Sequence, residues 1–167
     1  MTQGLNALSP EGAFTVLEQA CGASRWVQAM VDERPYQDLE ALKQAAQRLW
    51  ETMERSDILE AFDHHPRIGA DIQALRKKFA STASLSESEQ ASVAEASEET
   101  LLALRDGNKK YEARYGHIFI VCATGKSAQE MLELLEARMD NAPEEELRIA
   151  AAEQAKITQI RLENIQL

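Results

Sequence analysis

Two adjacent histidines stand before a proline in the stretch FDHHPRIG, residues 62–69. Because a residue before proline is pushed out of the α-helical region, the short helix predicted there must end near Asp63 or His64. His65 then lies on a stiff backbone just beyond a helix C-terminus. A histidine held there could act as a general acid or base, since histidine titrates near neutrality. The alternative is that His65 only caps the helix. We expect His64 to face solvent or pack locally, and His117 to be structural.

Arg161 is the second residue that could do chemistry, on the last predicted helix. Ile157 and Ile165 lie one turn to either side of it, so the spacing places Arg161 on the predicted core face. A buried guanidinium needs an anionic partner, because an uncompensated buried charge is costly. That partner is either an internal carboxylate or the carboxylate of a ligand, which arginine binds in bidentate fashion.

Ser86 and Glu89 have the S-x-x-E spacing of a capping box, which predicts the start of a helix. The exposed amides of a helix N-terminus can also bind an anion or a polar ligand. The spacing alone is compatible with both roles.

The elements that must position these residues are predominantly helical. Seven glycines and four prolines in 167 residues, with abundant Ala, Leu, Glu, Gln and Arg, favour helices. We predict a single all-α domain over residues 1–167, with about seven to nine helices. Predicted helix starts are Ser9-Pro10, Ser24, Asp38, Ser56, Ser86, Ser127 and Asn141 with Pro143; Arg34-Pro35 is a predicted stop, and Asp106-Gly107-Asn108 a predicted break or kink.

One apolar, β-branched run, HIFIVCATG, interrupts the helical pattern. Because no second convincing strand is available to pair with it, we predict a buried extended segment near residues 117–124. Its backbone amides could then bind another segment of the chain or a ligand.

Composition excludes several classes of function. The formal net charge of −10 makes nucleic acid and anionic membrane improbable partners. The sequence contains no long apolar span and no signal-peptide pattern, and Cys21 and Cys122 are predicted to be reduced, buried thiols, as in a cytoplasmic protein. A metal site at His64 and His65 is disfavoured, because adjacent histidines point in different directions and no H-x-x-x-H spacing is present.

Four stretches together, HHPRIG, LSESEQ, YEARYGHIFIVCATGKS and KITQIRL, resemble the pattern of the OHCU decarboxylase family. OHCU is 2-oxo-4-hydroxy-4-carboxy-5-ureidoimidazoline, an intermediate of urate breakdown. The resemblance extends from the N-terminal helix to Leu162. It implies an all-helical carboxy-lyase, usually a homodimer, that converts OHCU to (S)-allantoin and carbon dioxide without metal or organic cofactor.

The resemblance also implies roles for individual residues. His65, Glu89 and Arg161 are the implied catalytic residues. The implied substrate-binding residues are Pro66, Ser86 and Gln90, with the backbone of Ile118, Phe119, Ile120, Val121 and Cys122. The chain departs from many relatives at Ala91-Ser92-Val93, where they carry small, glycine-containing sequences. It also lacks the peroxisomal C-terminal signal of eukaryotic relatives, which favours a bacterial, cytoplasmic protein.

The expected mechanism has His65 managing a proton, while Arg161 and helix-terminal amides orient the substrate carboxylate and Glu89 orients a substrate N–H or hydroxyl. Two alternatives remain open. One is another cofactor-free enzyme that acts on a ureido or imidazoline compound, and the other is a non-catalytic helical interaction module.

Overall fold

The computed structural model describes the backbone of residues 2–65 and 87–165, and the side chains of these ranges except those of residues 87–97. The described part contains eight α-helices and no β-strand, which confirms the all-α prediction. The chain divides into two compact units, residues 1–65 with 148–167 and residues 66–147. The prediction of one domain over 1–167 stays a prediction. None of the described helices is both long enough and apolar enough to cross a membrane.

The first unit begins with five helices: α1 Thr2–Ala7, α2 Pro10–Glu18, α3 Ser24–Asp32, α4 Leu39–Glu51 and α5 Arg55–Asp63. Two of their starts confirm the sequence prediction. The Ser9 hydroxyl accepts a hydrogen bond from the Gly12 amide at 3.1 Å, and the Asp38 carboxylate accepts one from the Ala41 amide at 2.8 Å. Each side chain thereby satisfies an amide that has no partner within the helix.

The predicted start of α3 at Ser24 is confirmed although Ser24 is not its cap, the predicted start at Ser56 is one residue late, and helix α1 was not predicted. Ser24 is the first residue of α3 rather than its cap, and its amide and hydroxyl donate to the Glu60 carboxylate at 2.8 and 2.7 Å. Helix α5 begins at Arg55, before Ser56, because Glu54 and Asp57 form a reciprocal capping box. At both serines, hydrogen bonds formed by carboxylates therefore decide how the helix begins.

The core of the first unit is built around two tryptophans whose indole groups also bind the backbone. Trp26 Nε1 donates to the Ala46 carbonyl, and Trp50 Nε1 donates to the Ala151 carbonyl, each at 3.0 Å. Ala151 lies on the last helix, so this bond attaches that helix to α4. The largest side chains that this core buries are those of Leu5, Leu17, Trp26, Met30, Leu42 and Leu162.

The remaining helices are α6 Glu87–Tyr115, α7 Ala128–Arg138 and α8 Pro143–Glu163. Residues 143–147 of α8 belong to the second unit and its later residues to the first. The Ser127 hydroxyl accepts from the Glu130 amide at 3.2 Å, which confirms the predicted start of α7. The start of α8 at Pro143 also agrees with the prediction.

Of the predicted break or kink at Asp106-Gly107-Asn108, the break was wrong, because α6 runs through these residues without interruption. Gly107 has a packing role: a Cβ built there would lie 3.0 Å from Leu135 Cδ2, so glycine permits α7 to pack closely. The Asn108 side chain, which is 9% exposed, donates to the Leu104 carbonyl of the preceding turn at 2.8 Å. Tertiary packing therefore outweighs the local propensity of this triplet to break a helix.

Candidate active site

His65 is placed by the end of α5, as the sequence predicted. The helix ends at Asp63, His64 occupies the C-cap, and the His65 amide donates to the Phe62 carbonyl at 3.0 Å. The His65 backbone is therefore tied to the last turn of the helix.

The imidazole of His65 is partly buried and contacts two side chains of α8. Its Nε2 lies 2.5 Å from the Gln154 Oε1, and its Nδ1 lies 3.5 Å from the Arg161 Nη2. The histidine and the arginine that the sequence singled out, 96 residues apart, are therefore neighbours.

Arg161 is bound by backbone oxygens. Its Nη1 donates weakly to the carbonyls of Gln19 and Ala20, at 3.4 and 3.5 Å, where the chain leaves α2. Burial lowers the pKa of the guanidinium, and the Cys21 thiol beside it opposes that shift. No carboxylate of the described residues forms an ion pair with Arg161. Of the two partners considered from the sequence, the internal carboxylate is absent within that part of the chain, and the positive charge is suited to an anionic ligand.

The predicted core face of α8 needs a correction. The buried positions, spaced four residues apart, are Glu146, Ala150, Gln154, Thr158 and Leu162, whereas Arg161 and its predicted apolar neighbours are partly exposed. Arg161 therefore lies at the edge of the core, where its charged end can reach a ligand.

A cleft of about 380 Å³ opens beside the guanidinium of Arg161. Its size is at the lower end of the range typical of small-molecule sites. The lining residues, all in the first unit, are Val16, Gln19, Ala20, Arg161, Asn164 and Ile165.

His64, the neighbour of His65, is exposed and packs locally, as predicted. A Cβ built on Gly22 would lie 2.2 Å from His64 Cγ, so only glycine leaves room for this side chain. Among the described residues, no three His, Cys, Asp or Glu side chains cluster as a metal site requires.

The segment 118–122, in the second unit, is non-helical and, from Phe119 to Cys122, buried, as predicted. Side chains bind every second carbonyl: His117 Nδ1 lies 3.0 Å from the Ile118 oxygen, Arg138 Nη1 donates to Ile120 at 2.8 Å, and Lys126 Nζ donates to Cys122 at 2.7 Å. The intervening side chains, Phe119 and Val121, pack into the core of this unit. This period of two is that of an extended backbone.

Arg138, which holds the Ile120 carbonyl, belongs to a buried polar cluster that sequence reasoning missed. Its Nε donates to the Glu146 Oε1 at 2.6 Å, and Glu146 is fully buried. The Tyr111 hydroxyl donates to the same oxygen at 2.6 Å, and the Asn141 side-chain amide donates to Glu146 Oε2 at 3.0 Å. Burial, aided by the bond to Glu146, raises the pKa of Tyr111, so the hydroxyl remains a donor. The cluster anchors segment 118–122 from behind.

The remaining predicted site residues are not tested by these contacts. Pro66 and Ser86 lie outside the described residues. Glu89 and Gln90 fall in the first turn of α6, but their side chains are not among those described. Gln154 was also missed; the available signal was a glutamine and a threonine spaced four apart, between Ala150 and Leu162 on the same helix face.

Comparisons with known proteins agree with the family resemblance seen in the sequence. The sequence model of the OHCU decarboxylase family matches residues 6–163. This match covers most of the chain, which therefore belongs to the OHCU decarboxylase family. The uric acid degradation bifunctional protein TTL of Arabidopsis thaliana is 38% identical over 144 residues, which cover 85% of this chain and 44% of that protein. The chain thus spans less than half the length of that relative.

Two further relatives match over nearly their whole length. The 2-oxo-4-hydroxy-4-carboxy-5-ureidoimidazoline decarboxylase of Haloferax volcanii is 25% identical over 161 residues, covering 96% of this chain and 92% of that protein. A crystal structure of OHCU decarboxylase in the presence of (S)-allantoin has a TM-score of 0.70 and 31% identity, covering 93% of this chain and 96% of the other.

Proposed function

We propose that this chain decarboxylates OHCU to (S)-allantoin and carbon dioxide in urate breakdown, and that it does so without metal or organic cofactor. Membership of the OHCU decarboxylase family supports the reaction class. The observation that carries the proposal is the contact between the His65 imidazole and the Arg161 guanidinium at 3.5 Å; Arg161 also lines a cleft. It combines a group that can move a proton with a group that can bind a carboxylate.

The reaction requires the cleavage of one carbon–carbon bond and the uptake of one proton. OHCU, by its name, carries a hydroxyl and a carboxyl on the same ring carbon. When the bond between that carbon and the carboxylate breaks, carbon dioxide leaves and the electron pair stays in the conjugated ring. Formation of neutral allantoin then consumes one proton for each carbon dioxide released. The protein must supply orientation, electrostatic stabilisation and one-sided proton delivery.

In this proposal Arg161 binds the substrate near the carboxylate that is lost. Among the described residues its guanidinium forms hydrogen bonds with carbonyls and an imidazole and no ion pair with a carboxylate, so an anion would be its first full counter-charge within that part of the chain. Burial on this side strengthens the attraction, because the charge is less screened there than in water.

His65 handles the proton, either at the hydroxyl or at the ring carbon that becomes the new stereocentre. Glu89 orients a substrate N–H or hydroxyl, and the backbone of residues 118–122 binds the ring or the ureido group; both roles come from the family resemblance. A homodimer in the bacterial cytoplasm is proposed on the same basis.

The test is a coupled assay in which uricase and 5-hydroxyisourate hydrolase generate OHCU from urate. Ultraviolet absorbance follows OHCU decay, circular dichroism follows allantoin chirality, and released carbon dioxide is measured directly. We expect fast decay to one enantiomer, because uncatalysed decay gives a racemate. Decay at the uncatalysed rate to racemic allantoin, with a folded protein, would exclude the decarboxylase.

The role of His65 is tested by His65→Asn, with His64→Asn as the matched control on the adjacent, exposed histidine. Asparagine keeps a polar side chain but cannot exchange a proton near neutrality. We expect His65→Asn to lose about 100-fold or more of kcat, the range typical of a general acid or base, while His64→Asn stays within about threefold. Equal rates for the two variants would contradict the assignment.

A further inference from the structure

The ring of His65 has a defined neighbour on each nitrogen, and the inner neighbour belongs to a buried chain of hydrogen bonds. Gln154 is fully buried and Thr158 is 5% exposed. Gln154 Oε1 lies 2.5 Å from His65 Nε2, Gln154 Nε2 lies 3.0 Å from Thr158 Oγ1, and Thr158 Oγ1 lies 3.4 Å from the Ala20 carbonyl oxygen. The chain thus leads from the imidazole to a backbone acceptor.

The direction of this chain is determined by its last member. A carbonyl oxygen can only accept, so the Thr158 hydroxyl donates to Ala20. The Thr158 oxygen is then the acceptor for the Gln154 amide N–H, which turns the Gln154 carbonyl oxygen toward the imidazole. That oxygen requires a donor, and the His65 Nε2 must therefore carry the proton.

The outer nitrogen leads independently to the same tautomer. Arg161 has only donors, and its Nη2 faces the His65 Nδ1 at 3.5 Å. A proton on Nδ1 would set donor against donor beside a positive charge. Reversing the Gln154 amide would demand that arrangement and would also turn the Thr158 hydroxyl away from Ala20. The Nε2–H tautomer is compatible with each hydrogen bond from the imidazole through Gln154 and Thr158 to Ala20, and with the contact to Arg161.

We propose that Gln154 is a positioning residue that holds His65 in the Nε2–H tautomer, so that Nδ1 exchanges the proton with the substrate. The second part rests on the proposed function. Nδ1 accepts the proton of the substrate hydroxyl and later returns it to the ring carbon, so the imidazole ends each cycle as it began, and the one proton consumed per carbon dioxide comes from water. Because Nδ1 also lies on the side of Arg161, the proton-accepting nitrogen and the carboxylate-binding group face the same ligand. The Nε2 side is closed by the buried amide.

The first test needs no substrate. Long-range ¹H–¹⁵N spectra of protein labelled with ¹⁵N-histidine distinguish protonated from unprotonated ring nitrogens, and the His65 signals are those lost in His65→Asn. At about pH 8.5, above the ordinary histidine range, we expect Nε2 protonated and Nδ1 unprotonated. In Gln154→Leu we expect the Nδ1–H fraction to rise measurably, because the buried acceptor for Nε2–H is gone and only the 3.5 Å contact with Arg161 still favours Nε2–H. A wild-type ring protonated on Nδ1, or one unaltered by Gln154→Leu, would overturn the proposal.

The second test is kinetic. Gln154→Leu should lower kcat about 10- to 100-fold, the loss typical of removing a partner that orients a working histidine, with KM within about threefold. Gln154→Glu retains an acceptor for Nε2–H and should recover part of that loss. The matched control is Gln159→Leu, on the same helix, whose amide donates to the Lys43 carbonyl at 3.0 Å; its kcat should stay within about twofold. Equal kcat losses at the two glutamines would indicate a structural effect only and overturn the proposal.

The two proposals fail separately. If the tautomer shifts in Gln154→Leu but OHCU is not turned over, the proposed function is wrong and the control of the ring by Gln154 stands. If OHCU is turned over rapidly by a protein whose His65 is protonated on Nδ1, the decarboxylase stands and the role of Gln154 is wrong.

Discussion

Replacement of Arg138 by methionine should destabilise the protein severely, because it leaves a carboxylate buried without its cation. Glu146 has 0% exposure, and two nitrogens of Arg138, Nε at 2.6 Å and Nη2 at 2.5 Å, approach the same oxygen of Glu146. Methionine keeps most of the apolar stem but removes every donor. The variant therefore measures the loss of the charge and its hydrogen bonds, with little change in apolar packing.

The magnitude follows from these contacts. Removing one partner of a buried ion pair costs about 3–5 kcal/mol, because the other charge is left uncompensated. The Ile120 carbonyl also loses the 2.8 Å bond from Arg138 Nη1. The bonds from Tyr111 and Asn141 to Glu146 remain and offset part of the cost. Against a typical total stability of about 5–15 kcal/mol, a loss of about 3–5 kcal/mol is a large fraction.

Urea unfolding followed by far-ultraviolet circular dichroism measures this loss as a decrease in the free energy of unfolding. The matched control is Arg48→Met, which removes an arginine whose side chain is 59% exposed and paired with Glu33; the expected loss there is about 0–1 kcal/mol. The double variant Arg138→Met with Glu146→Leu should regain part of the stability, since apolar residues can replace a buried ion pair. A loss under about 1 kcal/mol for Arg138→Met, or no recovery in the double variant, would refute the reasoning.

Two further predictions concern the chain around residues 21–22. Gly22→Ala should cost about 1–3 kcal/mol and lower OHCU turnover, because its Cβ would lie 2.2 Å from His64 Cγ and 2.6 Å from His64 Cβ, next to His65. Adding His64→Gly should restore stability in urea unfolding, and failure to do so would reject the steric explanation. Burial raises the pKa of Cys21 from 9.0 to about 11, so its thiol should resist iodoacetamide at about pH 8 until the protein unfolds. The raised pKa of Cys21 stabilises the folded protein below pH 9.0, and this contribution is lost as the pH rises toward 11. Equal iodoacetamide labelling of the folded and the unfolded protein would contradict the predicted protection of the thiol.

Local sequence signals predicted the fold well where the decisive physics is local. The proline after His65 set the end of α5, and Ser9, Asp38 and Ser127 mark helix starts because each side chain reaches an amide three residues ahead. The apolar run after Gly116 predicted a buried segment, because the sequence pattern shows no second convincing strand to pair with it.

Predictions failed where a distant residue changed the local balance. Gly107 continues a helix because Leu135 packs against it, and Ser24 gives up its capping role because Glu60 binds it. These partners lie 28 and 36 residues away, beyond the reach of any window used to predict secondary structure. The core face of α8 was misplaced because three of its buried positions carry polar or charged residues, Glu146, Gln154 and Thr158.

The sequence by itself determined that the chain is helical and that a short helix ends just before His65. It also determined that Arg161 needs a partner and which family the chain resembles. These conclusions depend on residue types and short spacings. Only the tertiary structure decided that Arg161 lies beside His65 and that Gln154 lies on the opposite nitrogen of the ring. The physical reason is that hydrogen-bond direction depends on which donors and acceptors meet in space, and here those groups are about 90 to 140 residues apart in sequence.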